Sequence, residues 1–420
     1  MKQYRSLHSK QRIPLVPAVM TLLLFFCRDS MFSTAILGFY GSQFLNLGLI
    51  ALLGIGFLAA NFRRWKEIFT DPRLLLMAAA AGICLLPMVV KRDWQLMYCS
   101  VLLCVLLGIF LTFIADRKQL AKWYVYTLAV LGAYSVLAAY LLRLGVDAQV
   151  FRVPTFTNGA GFEFHNFFLS VVPDSYVKDR NFGIFREPGV YQFFLLLALY
   201  LNNDWLSWDK GWKQWTLNGI LGVTMLSTFA TGGVIEMGLL AVLLFFDKKW
   251  YRDKTLRFAA LALIAGGVAL VAYCIAVKNG LYWAVYDMFI GKFQNGNETG
   301  SDRILSITVN LKTFLESPLV GERLSTVLHS VENNTSSTMI LLAAFGILGG
   351  GLHLASWLAL VWNKERHFLV NLCYLGILAM SFNTQNLIAD VFLWALPMMA
   401  LTEWLWPLMG KKAKGETNGR

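Results

Sequence analysis

Charge is what this sequence has least of. Asp, Glu, Lys and Arg make up only 15% of its 420 residues against 57% hydrophobic residues, and the mean hydropathy is +0.55. So few charges cannot clothe a water-soluble surface, which excludes the ordinary soluble globular classes. The six cysteines, Cys27, Cys84, Cys99, Cys104, Cys274 and Cys373, show no C-x-x-C spacing and fall in or beside apolar runs. They indicate neither a zinc site nor a disulfide framework and read as packing residues. No P-loop, no D-x-D pair and no H-E-x-x-H occurs, so nucleotide hydrolysis and metal-assisted hydrolysis have no motif to rest on. A tandem repeat is also lacking, and low complexity is confined to the polar tail 411–420.

What is there in abundance is long apolar runs. About twelve recur, near 13–27, 35–60, 74–90, 95–115, 121–142, 188–206, 214–230, 232–247, 257–277, 337–361, 367–381 and 387–408. A helix of about 20 residues crosses a hydrocarbon core of roughly 30 Å. The expected fold class is therefore an all-α integral membrane protein of about 12 transmembrane helices. The first run follows a basic stretch, as a signal peptide would, but it has no small-residue cleavage site, and Phe25 and Phe26 precede Cys27 where a lipoprotein signal would not place them. It is read as the first span.

Orientation follows from Lys and Arg, which gather on the cytoplasmic side. With the N-terminus inside, Arg63, Arg64, Arg117, Lys118, Lys210, Lys248, Lys249, Lys364 and Lys411 all fall inside, while the short outer loops hold only Arg28, Lys91 and Arg92. Both termini are then cytoplasmic, and the net charge of +12 is explained by basic inner loops facing an anionic leaflet, with no call for a nucleic-acid partner. The chain divides into N-terminal spans (1–142), a first long outer loop (143–187), central spans (188–277), a second long outer loop (278–336), C-terminal spans (337–410) and the tail (411–420). Long loops are where function concentrates. These two carry most of the outward ionisable residues, among them Arg152, Arg180, Arg186, Glu187, Arg303, Arg323 and His329.

The stretch "NFGIFREPGVYQFF" places Arg186 and Glu187 directly before Pro188 and Gly189, at the start of an apolar run. Proline marks a first helical turn, and a carboxylate there is favoured by the helix dipole, so a plain capping role accounts for Glu187. The same pair suits chemistry at a lipid-linked diphosphate, with the guanidinium holding phosphate oxygens and the carboxylate taking a proton. Thr231 and Gly232 read either as a tight turn between spans or as a backbone donor near phosphate, and Glu236, inside a run, needs a partner or a cavity.

These residues resemble a known family. "FREPGVYQFFLLLAL" after a long outer loop, "STFATGGVIEMGLLAVLLF" at 227–245, "TGSDRILSITVNLKTFLESPLVGERL" at 299–324 and "NNTSSTMILLAAFGILGG" at 333–350 are similar, in order, to segments of bacterial O-antigen and capsule polysaccharide polymerases, the Wzy-type members of the O-antigen polymerase/ligase superfamily. The superfamily's ligases tend to carry a His-Asn pair where this chain has Asn333, Asn334 and Thr335, the nearby histidine being His329. The resemblance implies a GT-C-like membrane fold and a metal-independent, inverting glycosyltransferase with no cofactor. It would act at the outer face of a bacterial inner membrane on undecaprenyl-diphosphate-linked oligosaccharide within the membrane lipid, alongside a chain-length regulator and a flippase. It implies Glu187 and His329 as catalytic candidates and Arg186, Arg303, Arg152, Arg180, Arg323, Thr231 and Asn334 as substrate-binding candidates. The alternatives are a superfamily ligase or a transporter of lipid-linked sugars, the latter normally showing charged spans and helices interrupted near the midplane.

Overall fold

A chain in hydrocarbon must satisfy its own backbone, so apolar runs rich in Leu and Ala fold as helices. The computed structural model describes residues 15–32, 48, 51–55, 70–143, 155–157, 163–166, 169–173, 180–278, 283, 286 and 299–415. Its helices are α1 (Leu15–Phe25), α2 (Pro72–Val90), α3 (Leu96–Ile114), α4 (Arg117–Arg143), α5 (Pro188–Asp204), α6 (Gly211–Ser227), α7 (Thr231–Asp247), α8 (Lys254–Val277), α9 (Thr299–Glu316), α10 (Leu324–His329), α11 (Ser337–Val361), α12 (Phe368–Phe382) and α13 (Val391–Gly415). Among the described residues, Pro72–Val90, Leu96–Ile114, Arg117–Leu141, Ser337–Val361 and Val391–Leu408 are long and apolar enough to cross a membrane. This is a mostly helical membrane protein. The runs expected at 188–206, 214–230 and 232–247 form α5, α6 and α7, each of 17 residues, or about 26 Å at 1.5 Å per residue. The run expected at 35–60 lies largely outside the described residues.

Helix α5 is the centre of the bundle. Every residue from Val190 to Asn203 is buried, as suits a helix that is apolar all round. It packs against α4, α6, α7 and α12, while α13 lies against α3 and α11. Phe194 stacks on Phe185 with ring centroids 4.2 Å apart and meets Phe392 edge-on. Leu75, Val130, Leu137, Phe246 and Phe258 stay exposed on the outside, the arrangement expected where lipid is the solvent.

Both long loops carry secondary structure. In the first loop, β1 (Thr155–Thr157), β2 (Glu163–Asn166) and β3 (Val171–Pro173) form an antiparallel sheet in the order β1-β2-β3, with Phe156 opposite Phe164 and His165 opposite Val172. Alternating Thr, Phe and Val fit a pleated surface. The second loop contains helices α9 and α10. Helix α9 is amphipathic in the inverted sense, burying Ser306 and Asn310 and exposing Ile304, Leu305, Leu311 and Leu315.

Helix α11 is broken at Gly346, where φ is 63° and ψ is −164°. The hydrogen bond a regular helix would make there is replaced by the segment before α10. Ile347 N donates to Pro318 O at 2.7 Å, and Ala343 O accepts from Glu322 N at 2.7 Å. Only glycine fits, because a Cβ on Gly346 would lie 2.3 Å from Leu319 O.

The helix ends sort into two faces. Asn181 N donates to Ser227 O, Gly233 N to Gln192 Oε1, and Ser337 Oγ to Gln385 O. These bonds gather the starts of α5, α7 and α11 with the ends of α6 and α12. At the other face, Arg366 joins the ends of α5 and α7, pairing with Asp204 and donating to Asp247 Oδ2 at 3.0 Å, with Tyr200 and Tyr374 hydroxyls on the same carboxylates.

Candidate functional site

The approach to α5 runs as an extended segment because residues 29–31, just past α1, pair with it. Ser30 and Phe185 form an antiparallel bridge, Met31 N donates to Ile184 O at 2.8 Å and Arg186 N to Asp29 O at 3.1 Å. That pairing brings side chains from the two ends of the first 190 residues together. Arg186 Nε donates to Asp29 Oδ1 at 2.5 Å and Nη1 to Glu187 Oε1 at 2.9 Å. Asp29 is only 1% exposed, while the Glu187 side chain is 47% exposed. Burial works against the Arg186 charge, but Asp29 and Glu187 outweigh it and hold the guanidinium above its ordinary value. Glu187 is the N-cap of α5 through its backbone: its carbonyl accepts from Val190 N and Tyr191 N, and its side chain makes no cap bond. Arg28 and Asp390, both buried, lie within electrostatic reach of Asp29. Two cations and three carboxylates therefore share this corner.

A second polar group sits one to two turns further along the helices. Gln192 of α5 donates to Thr384 Oγ1 at 3.4 Å and accepts from Gly233 N at 2.8 Å. Gly233 has no room for a side chain, since a Cβ there would stand 2.8 Å from Gln192 Oε1. One turn on, Glu236 is 1% exposed. Its carboxylate lies beside the Ser381 hydroxyl of α12 and within electrostatic range of Arg303 of α9. Glu236 Oε2, Ser381 Oγ and Arg303 Nε are all buried and complete no hydrogen bond among the described residues. Arg303 is carried on the face of α9 that also holds Ser306 and Asn310, and Asn334 fixes that face by accepting from both, at 2.7 and 2.8 Å.

No family model, curated protein or solved structure matches this chain.

The expected site residues thus part company. Arg186, Glu187 and Arg303 lie at the face where α5, α7 and α11 begin, and Thr231 opens α7 there. Asn334 lies nearby but is committed to packing, its amide donating to Val327 O at 2.8 Å as well. Arg180 is half-buried beside Asn181. Arg323 and His329 stand apart on α10: Arg323 Nε donates to Lys91 O at 3.2 Å, and His329 is exposed with Nδ1 2.7 Å from Ser325 O. That histidine faces its own helix backbone, because it closes a six-residue helix. Arg152 lies outside the described residues. Three groups were missed in the sequence, Asp29, Asp390 and Gln192. Their signal was a lone polar residue inside or beside an apolar run, the placement that is costly in lipid unless something answers it.

Proposed function

We propose that this protein is a membrane glycosyltransferase that polymerises lipid-linked oligosaccharide repeat units. In this reading the growing glycan is transferred from undecaprenyl diphosphate onto the next lipid-linked unit at the outer face of a bacterial plasma membrane, by a bundle of about twelve spans of GT-C type. The observation that carries the reading is that two arginines from separate segments stand beside carboxylates near the first turns of α5 and α7, Arg186 on Asp29 and Arg303 within electrostatic range of Glu236, in a protein otherwise so poor in charge. A departing diphosphate needs fixed positive charge. The starts of α5, α7 and α11 add the positive ends of three helix dipoles at the same face. Because Asp29 and Glu187 already occupy Nε and Nη1, a diphosphate engages Arg186 when the exposed Glu187 side chain swings aside.

Cell-surface polysaccharide after gene loss tests the reading. A lost polymerase leaves single repeat units on the acceptor, whereas a lost flippase or ligase leaves none. Complementation with Arg303→Ala or Arg186→Ala should then fail to restore long chains at normal membrane abundance. One observation favours a second reading, a transporter of lipid-linked sugars: α11 is interrupted at Gly346, and interrupted helices are a transporter feature. A bare acceptor left by gene loss would then exclude the polymerase and leave the transporter or the ligase.

A further inference from the structure

A buried polar atom without a partner is costly, so native interiors rarely keep several together unless something fills the space between them. Glu236 Oε2, Ser381 Oγ and Arg303 Nε come from three different helices, α7, α12 and α9; Ser381 lies against the Glu236 carboxylate, Arg303 lies within electrostatic range of it, and none of the three atoms completes a hydrogen bond among the described residues. Thr338 Oγ1, at the start of α11, is in the same state, and its backbone N–H is held at 2.8 Å by Asn383, two residues from Ser381. A carboxylate, a hydroxyl and a guanidinium edge are the complement of a polyhydroxylated ligand. Hydroxyls of a sugar can donate to the carboxylate and accept from the guanidinium at once. Gln192 is locked by Gly233 N and Thr384, and Gly232 leaves a gap whose missing Cβ would be 3.6 Å from Glu236 Oε1 and 3.3 Å from Gln192 Nε2.

We infer that Glu236 is the catalytic base of this site, receiving the proton of the attacking hydroxyl of the acceptor sugar. The inference rests on the polymerase reading and assigns its proton acceptor. As the acceptor O–H bond breaks, its proton passes to Glu236. The hydroxyl oxygen bonds to the anomeric carbon of the donor glycan, and the bond from that carbon to the diphosphate breaks with its electron pair leaving on the lipid diphosphate. Glu187 is the poorer candidate for this step, because its Oε1 is bonded to Arg186 at 2.9 Å and its side chain stands half in solvent. Arg303 lies where it can answer both the carboxylate and the leaving diphosphate.

The test uses the full-length chain in a strain deleted for the gene, complemented with the parent, Glu236→Gln, Glu236→Asp or Glu187→Gln. Surface polymer length, membrane abundance and binding of undecaprenyl diphosphate to the purified proteins are read together. A parent that restores no change in polymer length would sink the polymerase reading itself, apart from any claim about Glu236. Given a parent that polymerises, the expected result is normal abundance of Glu236→Gln, retained undecaprenyl diphosphate binding and a loss of chain extension on the order of 10²-fold or more. Normal polymer from Glu236→Gln, or normal polymer from it combined with none from Glu187→Gln, would overturn the assignment. Loss of undecaprenyl diphosphate binding along with activity would overturn it too, by making Glu236 a structural or binding residue. If Glu236→Gln fails to accumulate, Glu236→Asp decides: full extension with the parent's pH profile overturns the assignment, and reduced extension with a displaced profile supports it.

Discussion

Replacing Asp29 by Asn separates the ion pair from everything else in its corner, because the amide keeps the shape and removes the charge. Arg186 would keep Glu187 on Nη1 but lose the carboxylate on Nε, and the carbonyl of the new amide is a far weaker acceptor. Removing one partner from a buried pair costs about 3–5 kcal/mol. With Arg186 25% exposed and Glu187 retained, the low end applies, roughly 3 kcal/mol. Since each 1.4 kcal/mol is a factor of ten, opening of the 27–31 segment from the 183–187 segment should become on the order of 10² times more frequent. Cys27 reports that opening, being wholly buried two residues before Asp29. With the other five cysteines replaced by alanine, thiol labelling of Cys27 in membranes should run about 10²-fold faster in Asp29→Asn than in the parent when reclosing outpaces labelling. The double variant with Arg186→Gln should be no worse than the worse single variant, as coupled partners are. Labelling of Asp29→Asn within about threefold of the parent would refute the claim that this pair holds the N-terminal segment to α5.

Two further outcomes follow from the same geometry. Gly346→Ala should destabilise the protein by more than about 2 kcal/mol, combining left-handed strain with a clash against the Leu319 backbone, whereas Gly351→Ala, which meets open space, should be near neutral; thermal unfolding in detergent compares them. Glu322 is held below the usual carboxylate range by the Arg323 backbone N–H and by Lys91, so its stabilising contribution is fully present above the ordinary glutamate value near 4.3 and fades as pH falls through its lower folded value. The difference in thermal stability between the parent and Glu322→Gln should therefore be constant above about pH 5 and shrink as pH is lowered through the folded value, and a difference that grows as the pH is lowered would count against it.

Composition alone determined that lipid is the solvent, and hydrophobic runs determined where most helices lie, because in hydrocarbon the backbone has no partner except itself. The start of α5 was equally legible: Pro188 fixes a first turn, and the helix begins there. What the runs could not reveal is which helix is inner. Helix α5 and α8 read alike as apolar segments, yet α5 is buried along its length and the described face of α8 is exposed, a distinction set by neighbours and not by the segment's own residues. The inward polar face of the amphipathic α9 was hidden for a related reason: a pattern that signals a surface helix in water marks the opposite arrangement here. The candidate site was legible only in halves. Arg186, Glu187 and Arg303 stand out as charges in an apolar chain, but their partners do not, since Asp29 is 157 positions from Arg186 and Glu236 comes within electrostatic range of Arg303 from another helix. Electrostatics acts through space over a few ångströms, and only the packing of α1, α5, α7, α9 and α12 decided which lone charges would share that distance.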